Sequence, residues 1–407
     1  MMLLRMSWLN LWRNRRRTLI TAASVYFAVI LSIIMRSATL GVYDNMIHNF
    51  VTFSSGYMQV HLKGYWEESN IDNAMEHRAS LADTFGRVAG VTAVIPRLQS
   101  FVLASGADQT KGAMAMGIIP SLERSATRFS EKLTVGSYPR SDTDRVALLG
   151  EELALRLKLK PGDTLVLIGQ GYRAASAAGM FRVAGLLQLG SPELNQRMIF
   201  LPLKRAQEMF GAESLITSLA LQVGNPAALE PVHQRLRQVL DTARLEVKTW
   251  KEMYPEMDQF ITADSSGHII MSGILYLMIS FGLLGTLLMM TMERTHEFGI
   301  LIALGLRKSK IGLMLLGESV IIALMGCAMG MLSGFGIVWW FQSNPIRLTG
   351  QLRDMYISYG IDPVIALSTR PDIFYIQAVV VLVISVVLVL APVWKVMRLK
   401  PVEAINS

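Results

Sequence analysis

Four stretches of the chain stay apolar long enough to cross a bilayer, and the polar segments between them are defined by where they stop. A hydrocarbon core of about 30 Å takes about 20 apolar helical residues. Thr18 to Thr39, Ile269 to Met292, Ile311 to Phe341 and Phe374 to Trp394 each meet that length. Ahead of the first run, residues 1–17 place Leu4, Trp8, Leu11 and Trp12 at helical spacing and then give Arg13, Arg15, Arg16 and Arg17. Tryptophan suits the headgroup level and arginine suits anionic lipid, so this stretch predicts a helix lying in the inner interface, with those two tryptophans and four arginines as its lipid contacts. The other reading is a secretory signal with Thr18 to Met35 as its apolar region, but no clear A-x-A site follows.

Between the first and second runs the pattern changes. Helical periodicity at 68–89, 150–159, 203–211 and 226–242 alternates with short β-type runs at Val94 to Leu103, Leu165 to Ile168, Met198 to Leu201 and Leu245 to Thr249. Pro161-Gly162-Asp163 has turn chemistry, with proline presetting φ and glycine supplying a positive one. The expectation is an α-helical membrane protein with four transmembrane helices and a large mixed α/β external domain, 40–265, between the first and second. Strands from 40–120 and 216–265 are expected to share a membrane-proximal sheet, and 121–215 to form a second lobe. The remaining divisions are spans at 18–39, 269–292, 311–341 and 374–394, an inner connection at 293–310, an outer loop at 342–373 and an inner tail at 395–407.

Charge sets the orientation. The pieces placed inside carry 12 Lys or Arg against Glu293, Glu297 and Glu403, whereas 40–265 holds 23 basic and 24 acidic residues. The net charge of +8 is therefore the positive-inside signature of a membrane protein and not a nucleic-acid-binding face. Composition agrees: the 407 residues are 52% hydrophobic and 17% charged, with a mean hydropathy of +0.38. Cys327 is the one cysteine, so the chain cannot form an internal disulfide or a thiolate metal cluster.

Signs of catalysis are sparse. There is no Gly-Lys dipeptide and hence no P-loop, no H-E-x-x-H, and no G-x-S-x-G elbow. The six histidines are scattered, and paired acids such as Glu67-Glu68 and Glu151-Glu152 read as solvated helix ends. No catalytic residue, metal or cofactor is expected in this chain.

The inner connection carries more information. From Met292 to Ser319 the chain reads M-E-R-T-H-E-F-G-I-L-I-A-L-G-L-R-K-S-K-I-G-L-M-L-L-G-E-S. Glu297 falls in the first turn of a short amphipathic pattern, and Gly305 sits where a glycine would end it. Arg307, Lys308 and Lys310 follow, which is the charge order a helix dipole favours. On periodicity alone the segment reads equally well as a loop with ordinary flanking charges. In the third span, Glu318 would cost several kcal/mol if unpaired; it reads as a structural acid near the inner interface, with a proton relay as the alternative. Gly326, Gly330 and Gly334 recur every four residues and read as a close helix contact. Arg36 is expected to snorkel.

E-R-T-H-E-F-G-I-L-I-A-L-G followed by Gly317-Glu318-Ser319 and the glycine row resembles the signature of FtsX/MacB/LolCE-type ABC transporter permeases. So do Asn10-Leu11-Trp12-Arg13-Asn14, Gly150-Glu151-Glu152-Leu153-Ala154, Leu159-Lys160-Pro161-Gly162-Asp163 and the run from Pro392 to Ala404. The resemblance covers nearly the whole chain and is closest to lipoprotein-releasing subunits. It implies a bacterial inner-membrane permease with its large domain in the periplasm. It also implies a second permease copy or paralogue, and a separate cytoplasmic ATPase dimer that binds ATP and Mg²⁺. By position, Glu297 to Lys308 would be the coupling helix, contacting the ATPase through Glu297, Phe298, Leu301, Ala303, Leu304, Gly305, Arg307 and Lys308. Lipid-anchored cargo extracted from the outer leaflet is the leading activity. A triacyl anchor of about 45 methylenes is held by on the order of 36 kcal/mol, so an apolar wall must receive it. Tyr26, Val29, Ile30 and Ile33 with Tyr276, Met278 and Ile279 are the candidates, and core packing accounts for the same residues. MacB-like export of a peptide, toxin or drug and FtsX-like control of a cell-wall hydrolase are the rival readings. Each reading brings its own external partner: a periplasmic carrier, an adaptor with an outer-membrane duct, or the hydrolase.

Overall fold

The computed structural model describes residues 15–106, 108–358 and 364–398. Trp8, Trp12 and Arg13 of the expected interfacial helix, and the tail beyond Arg398, lie outside the described residues. The chain forms two compact units: a membrane unit of Met1–Asp44, Ile261–Arg347 and Val364–Ser407, and an external unit of Asn45–Phe260 and Leu348–Pro363.

The first helix, α1 (Arg15–Ser54), is 40 residues long. At 1.5 Å per residue it measures about 60 Å, twice a hydrocarbon core. It outruns the Thr18 to Thr39 stretch because nothing from Leu40 to Ser54 breaks it: the polar residues Asp44, Asn45, His48 and Asn49 continue the helix beyond the apolar run.

The external unit continues with β1 (Met58–Leu62), α2 (Tyr65–Glu68), β2 (Met75–Glu76), α3 (Ala79–Gly86), β3 (Val91–Ser105), β4 (Thr110–Ile118), α4 (Pro120–Thr127), β5 (Leu133–Gly136), β6 (Val146–Gly150) and α5 (Glu151–Leu157). It then runs through β7 (Thr164–Gln170), β8 (Ser176–Leu187), α6 (Pro192–Arg197), β9 (Met198–Pro202), α7 (Leu203–Phe210), β10 (Leu215–Ile216), β11 (Ser218–Val223), α8 (Leu229–Val239), β12 (Leu245–Thr249) and α9 (Trp250–Met253).

Ten strands make one sheet in the order β12-β1-β11-β3-β4-β9-β6-β8-β5, with β7 pairing both β3 and β8. β1 lies antiparallel between β11 and β12, Met58 facing Leu221 on one side and Thr249 on the other, so the two ends of the segment share a sheet. Strand β3 is 15 residues long and changes partners along its length: Val91 to Arg97 pair with β11, and Leu98 to Ser105 pair with β4. The Pro161 turn has Gly162 at φ 104°, and the Asp163 carboxylate accepts from the Lys160 amide at 2.8 Å. One apolar core of this unit gathers Phe53 from the end of α1 with Met116, Phe129, Leu148 and Phe200.

The chain then forms α10 (Pro255–Glu293), α11 (Thr295–Ala303), α12 (Lys308–Ser343), α13 (Gln351–Ser358) and α14 (Pro371–Met397). Of these, α10, α12 and α14 join α1 as the four described helices long and apolar enough to cross a membrane. The core of the membrane unit is built from Val25, Val29 and Ile33 of α1, Leu283 of α10, Cys327 and Val338 of α12, and Ala378 and Val381 of α14. Helix α10 is the least covered: 17% of its most apolar window is buried, against 44% for α1, which leaves most of its side chains facing outward.

Candidate functional site

The connection between α10 and α12 is built as a short helix with a complete stop. Helix α11 starts after Arg294, whose carbonyl accepts from the Phe298 amide at 3.0 Å. It ends at Leu304, with Gly305 at φ 89°. There the Leu306 amide donates to the Leu301 carbonyl and the Gly305 amide to the Ile302 carbonyl, both at 3.0 Å. This is the paired closure that a left-handed glycine permits, and it satisfies carbonyls that the helix end would otherwise leave open. Arg307 is extended and precedes the first residue of α12.

Two faces of α11 do different work. Phe298 is 0% exposed and packs with Ile311, Met314 and Leu315 of α12 and Val396 of α14, with Leu301 and Ile302 half-buried beside it. Phe298 as an apolar contact for a partner protein is therefore corrected: its ring is committed to the chain's own core. The opposite face carries Glu297, Ile300, Ala303 and Leu304, and Leu304 is 79% exposed. Gly305 and Arg307 are exposed beyond it, while Lys308 is half-buried and donates to the Met397 carbonyl at 3.3 Å.

Beneath this helix lies a buried ion pair. The Arg294 guanidinium donates to Glu318 Oε2 at 2.6 Å, and both side chains are almost fully buried. Arg294 also reaches Glu297 at 3.5 Å and lies over the Phe298 ring at 5.2 Å. One arginine thus ties the start of α11 to the carboxylate about three turns into α12, which keeps a membrane-level acid paired. Arg294 stands inside the E-R-T-H-E-F-G motif but reads there as one more inner-face charge. Its partner is 24 residues away, and no periodicity links the two.

The glycine row packs on α1. A Cβ on Gly326 would come within 2.7 Å of Val25 Cβ, one on Gly330 within 2.8 Å of Val29 Cβ, and one on Gly334 within 3.1 Å of Ile33 Cδ1. Val29 and Ile33 are fully buried under those glycines, so they cannot wall a cargo pocket; that assignment is corrected, because the absent Cβ atoms draw the two helices too close for a cavity. Tyr26 bonds Ser333 across the same contact at 3.3 Å, and Ile30 is half-buried on α1. Tyr276 donates to Gln377 of α14, Ile279 packs beside it, and Met278 is exposed. The groove of about 360 Å³ found in this region is lined by Tyr276, Leu277, Ser280, Phe281, Leu284 and Leu388. Of the seven predicted wall residues it contains Tyr276 alone. At the inner start of α1, Arg15 and Arg16 are exposed; the Arg17 side chain is outside the described residues.

Residues 18–239 match the MacB-like periplasmic core domain, and residues 269–401 match the FtsX-like permease C-terminal domain. The chain belongs to the FtsX/MacB/LolCE-type ABC transporter permeases. It is a multi-pass inner-membrane permease with a periplasmic domain, of a family that works with ATPase partners. The lipoprotein-releasing system transmembrane protein LolC of Xylella fastidiosa strain 9a5c is 24% identical over 343 residues, 81% of each chain. LolC of Neisseria meningitidis serogroup B strain MC58 is 20% identical over 256 residues, 61% of this chain and 62% of that one. The extracellular domain of the Gram-positive ABC-type transporter YknZ superposes with a TM-score of 0.34 at 14% identity, covering 47% of this chain and 99% of that one. The periplasmic region of MacB from Actinobacillus actinomycetemcomitans gives 0.35 at 14%, covering 54% and 95%. Helix α11 lies between the second and third of the described spanning helices.

Proposed function

We propose that this permease receives force at α11 from a cytoplasmic ATPase dimer, which binds ATP and Mg²⁺, and passes it to the periplasmic domain to extract lipoproteins or other lipid-anchored cargo from the outer leaflet. The observation that carries the reading is the division of α11 into a face buried on α12 and α14 and an opposite face bearing Glu297, Ile300 and Leu304. A large apolar side chain 79% exposed between charged neighbours suits the centre of a protein contact. ATP binding would draw the paired ATPase subunits together, and α11 would pass that displacement to α12 through Arg294, Glu318 and Phe298. A second permease copy or paralogue completes the transporter, and the outward-facing side chains of α10 offer it an apolar surface. Lipidic cargo is favoured because the relatives matched over 81% of the chain are named lipoprotein-releasing. The match to the MacB-like periplasmic core supports a second reading, export of a peptide, toxin or drug.

The test replaces Leu304 and Glu297 with Ala, which leaves the Phe298 core intact. Co-purification of the ATPase subunit and ATP-dependent release of a fluorescent triacylated lipopeptide from proteoliposomes should both fall about tenfold, with unchanged thermal stability. Full retention of both would sink the reading. A parent protein that releases no lipopeptide but drives ATP-dependent efflux of a soluble peptide would favour export.

A further inference from the structure

We infer that Arg97 is the positioning residue that ties the outer end of α1 to the periplasmic sheet, so that displacement of the helix moves the domain. The inference rests on the force-transmission reading above and names the residues that would carry it. Arg97 sits on β3 and is 1% exposed, as is its partner Glu123 on α4. Its Nε donates to Glu123 Oε1 at 2.8 Å, its Nη1 to the Ser54 carbonyl at 2.8 Å and its Nη2 to the Thr52 carbonyl at 3.2 Å. Ser54 is the last residue of α1. One planar, permanently charged group therefore joins three segments: the end of α1, the long strand β3 and helix α4.

The placement is specific. Helix C-termini leave carbonyls unpaired and carry partial negative charge, and a guanidinium answers both. The Val51 carbonyl is already taken by the Gly56 amide at 2.7 Å, and Arg97 supplies donors to two of the three that follow. Thr127 donates to the second Glu123 oxygen at 3.1 Å, which fixes the carboxylate. A buried ion pair is a poor source of stability, because apolar residues of similar volume often do as well. What it adds here is direction: three hydrogen bonds from β3, two to α1 and one to α4, resist sliding, whereas the Phe53 packing around them is non-directional. Tyr254, the residue between α9 and α10, lies edge-on to Phe50 of α1 at 4.8 Å.

The experiment uses the permease with its ATPase subunit in nanodiscs, in a Cys327→Ser background. Spin labels are placed through Ser80→Cys on α3 and Ser343→Cys at the end of α12. The parent should show a change in label separation between nucleotide-free and ATP-bound states. The double variant Arg97→Met with Glu123→Leu removes the tie without stranding a charge. It should keep its melting temperature and its ATPase turnover within twofold, yet lose at least half of the ATP-driven change. Arg97→Lys keeps the charge but not the fork and should lose a smaller part; it decides the matter if the double variant does not fold. Parent-like motion in either folded variant overturns the tie while the transmission reading stands. Motion lost only in step with melting temperature also overturns it, because that is what a merely structural residue would do. A parent that shows no ATP-driven change overturns the transmission reading and the tie together.

Discussion

Among the described residues two Arg–Glu pairs are buried, one in each unit, and they are satisfied in different ways. In the external unit Arg97 spends its fork on Glu123 and on two carbonyls at the end of α1, all inside the fold. In the membrane unit Arg294 divides itself between the buried Glu318 and Glu297, whose side chain is 46% exposed on the outer face of α11. The first arrangement is closed: every partner is interior, and a change at Arg97 alone leaves a buried carboxylate without one. The second opens toward the surface, so a protein seated on α11 could compete for Glu297 and alter what Arg294 holds. Closed pairs define geometry, and open ones can report contact.

The largest expected effect tests the closed pair. Arg97→Met alone strands Glu123 in the interior and should cost about 3–5 kcal/mol in thermal or urea unfolding of the purified chain. Adding Glu123→Leu should recover most of that loss. Next comes the open pair: Glu318→Gln leaves Arg294 still facing Glu297, so the loss should be smaller, about 1.5–3 kcal/mol. A cost at Glu318 above that at Arg97 would break the comparison.

Gly330→Ala sharpens it from the packing side, because Glu318 and the glycine row share α12. The new Cβ would sit 2.8 Å from Val29 Cβ, and overpacking of this kind should cost about 1–3 kcal/mol, read as a lowered melting temperature with ATPase binding intact.

The smallest effect is a pH dependence confined to the external unit. Burial lowers the pKa of His61 from its ordinary 6.5, against the opposing pull of the Leu62 carbonyl and Glu246. The folded imidazole is then neutral where the unfolded one is already protonated. The unfolded state binds more protons below about 6.5, so stability falls as pH drops from there toward the folded-state pKa. Comparing melts at pH 7.5 and 5.5, His61→Gln should flatten that slope; an unchanged slope would assign it to another group.

Much of the architecture was legible in the order of residues. Apolar run length identified four spanning helices, lysine and arginine counts oriented them, and alternation marked β3, β7, β9 and β12. The closure of α11 at Gly305 was also visible, because an αL stop has a local signature in one residue and its neighbours. The division of α11 into buried and exposed faces was not. Phe298 and Leu304 are both large, apolar and six residues apart, and only the packing of α12 and α14 determines which is covered.

Local chemistry, read within a turn or across one span, was thus determined by the sequence alone: spans, orientation, helix stops and the membership in a permease family that those motifs carry. Pairings between distant residues were decided only by the tertiary structure. Arg97 meets Glu123 across 26 positions and Ser54 across 43, Arg294 meets Glu318 across 24, and Val29 disappears under Gly330. Periodicity reports which side of an element is apolar, but a buried charge is selected by whichever other element arrives to neutralise it.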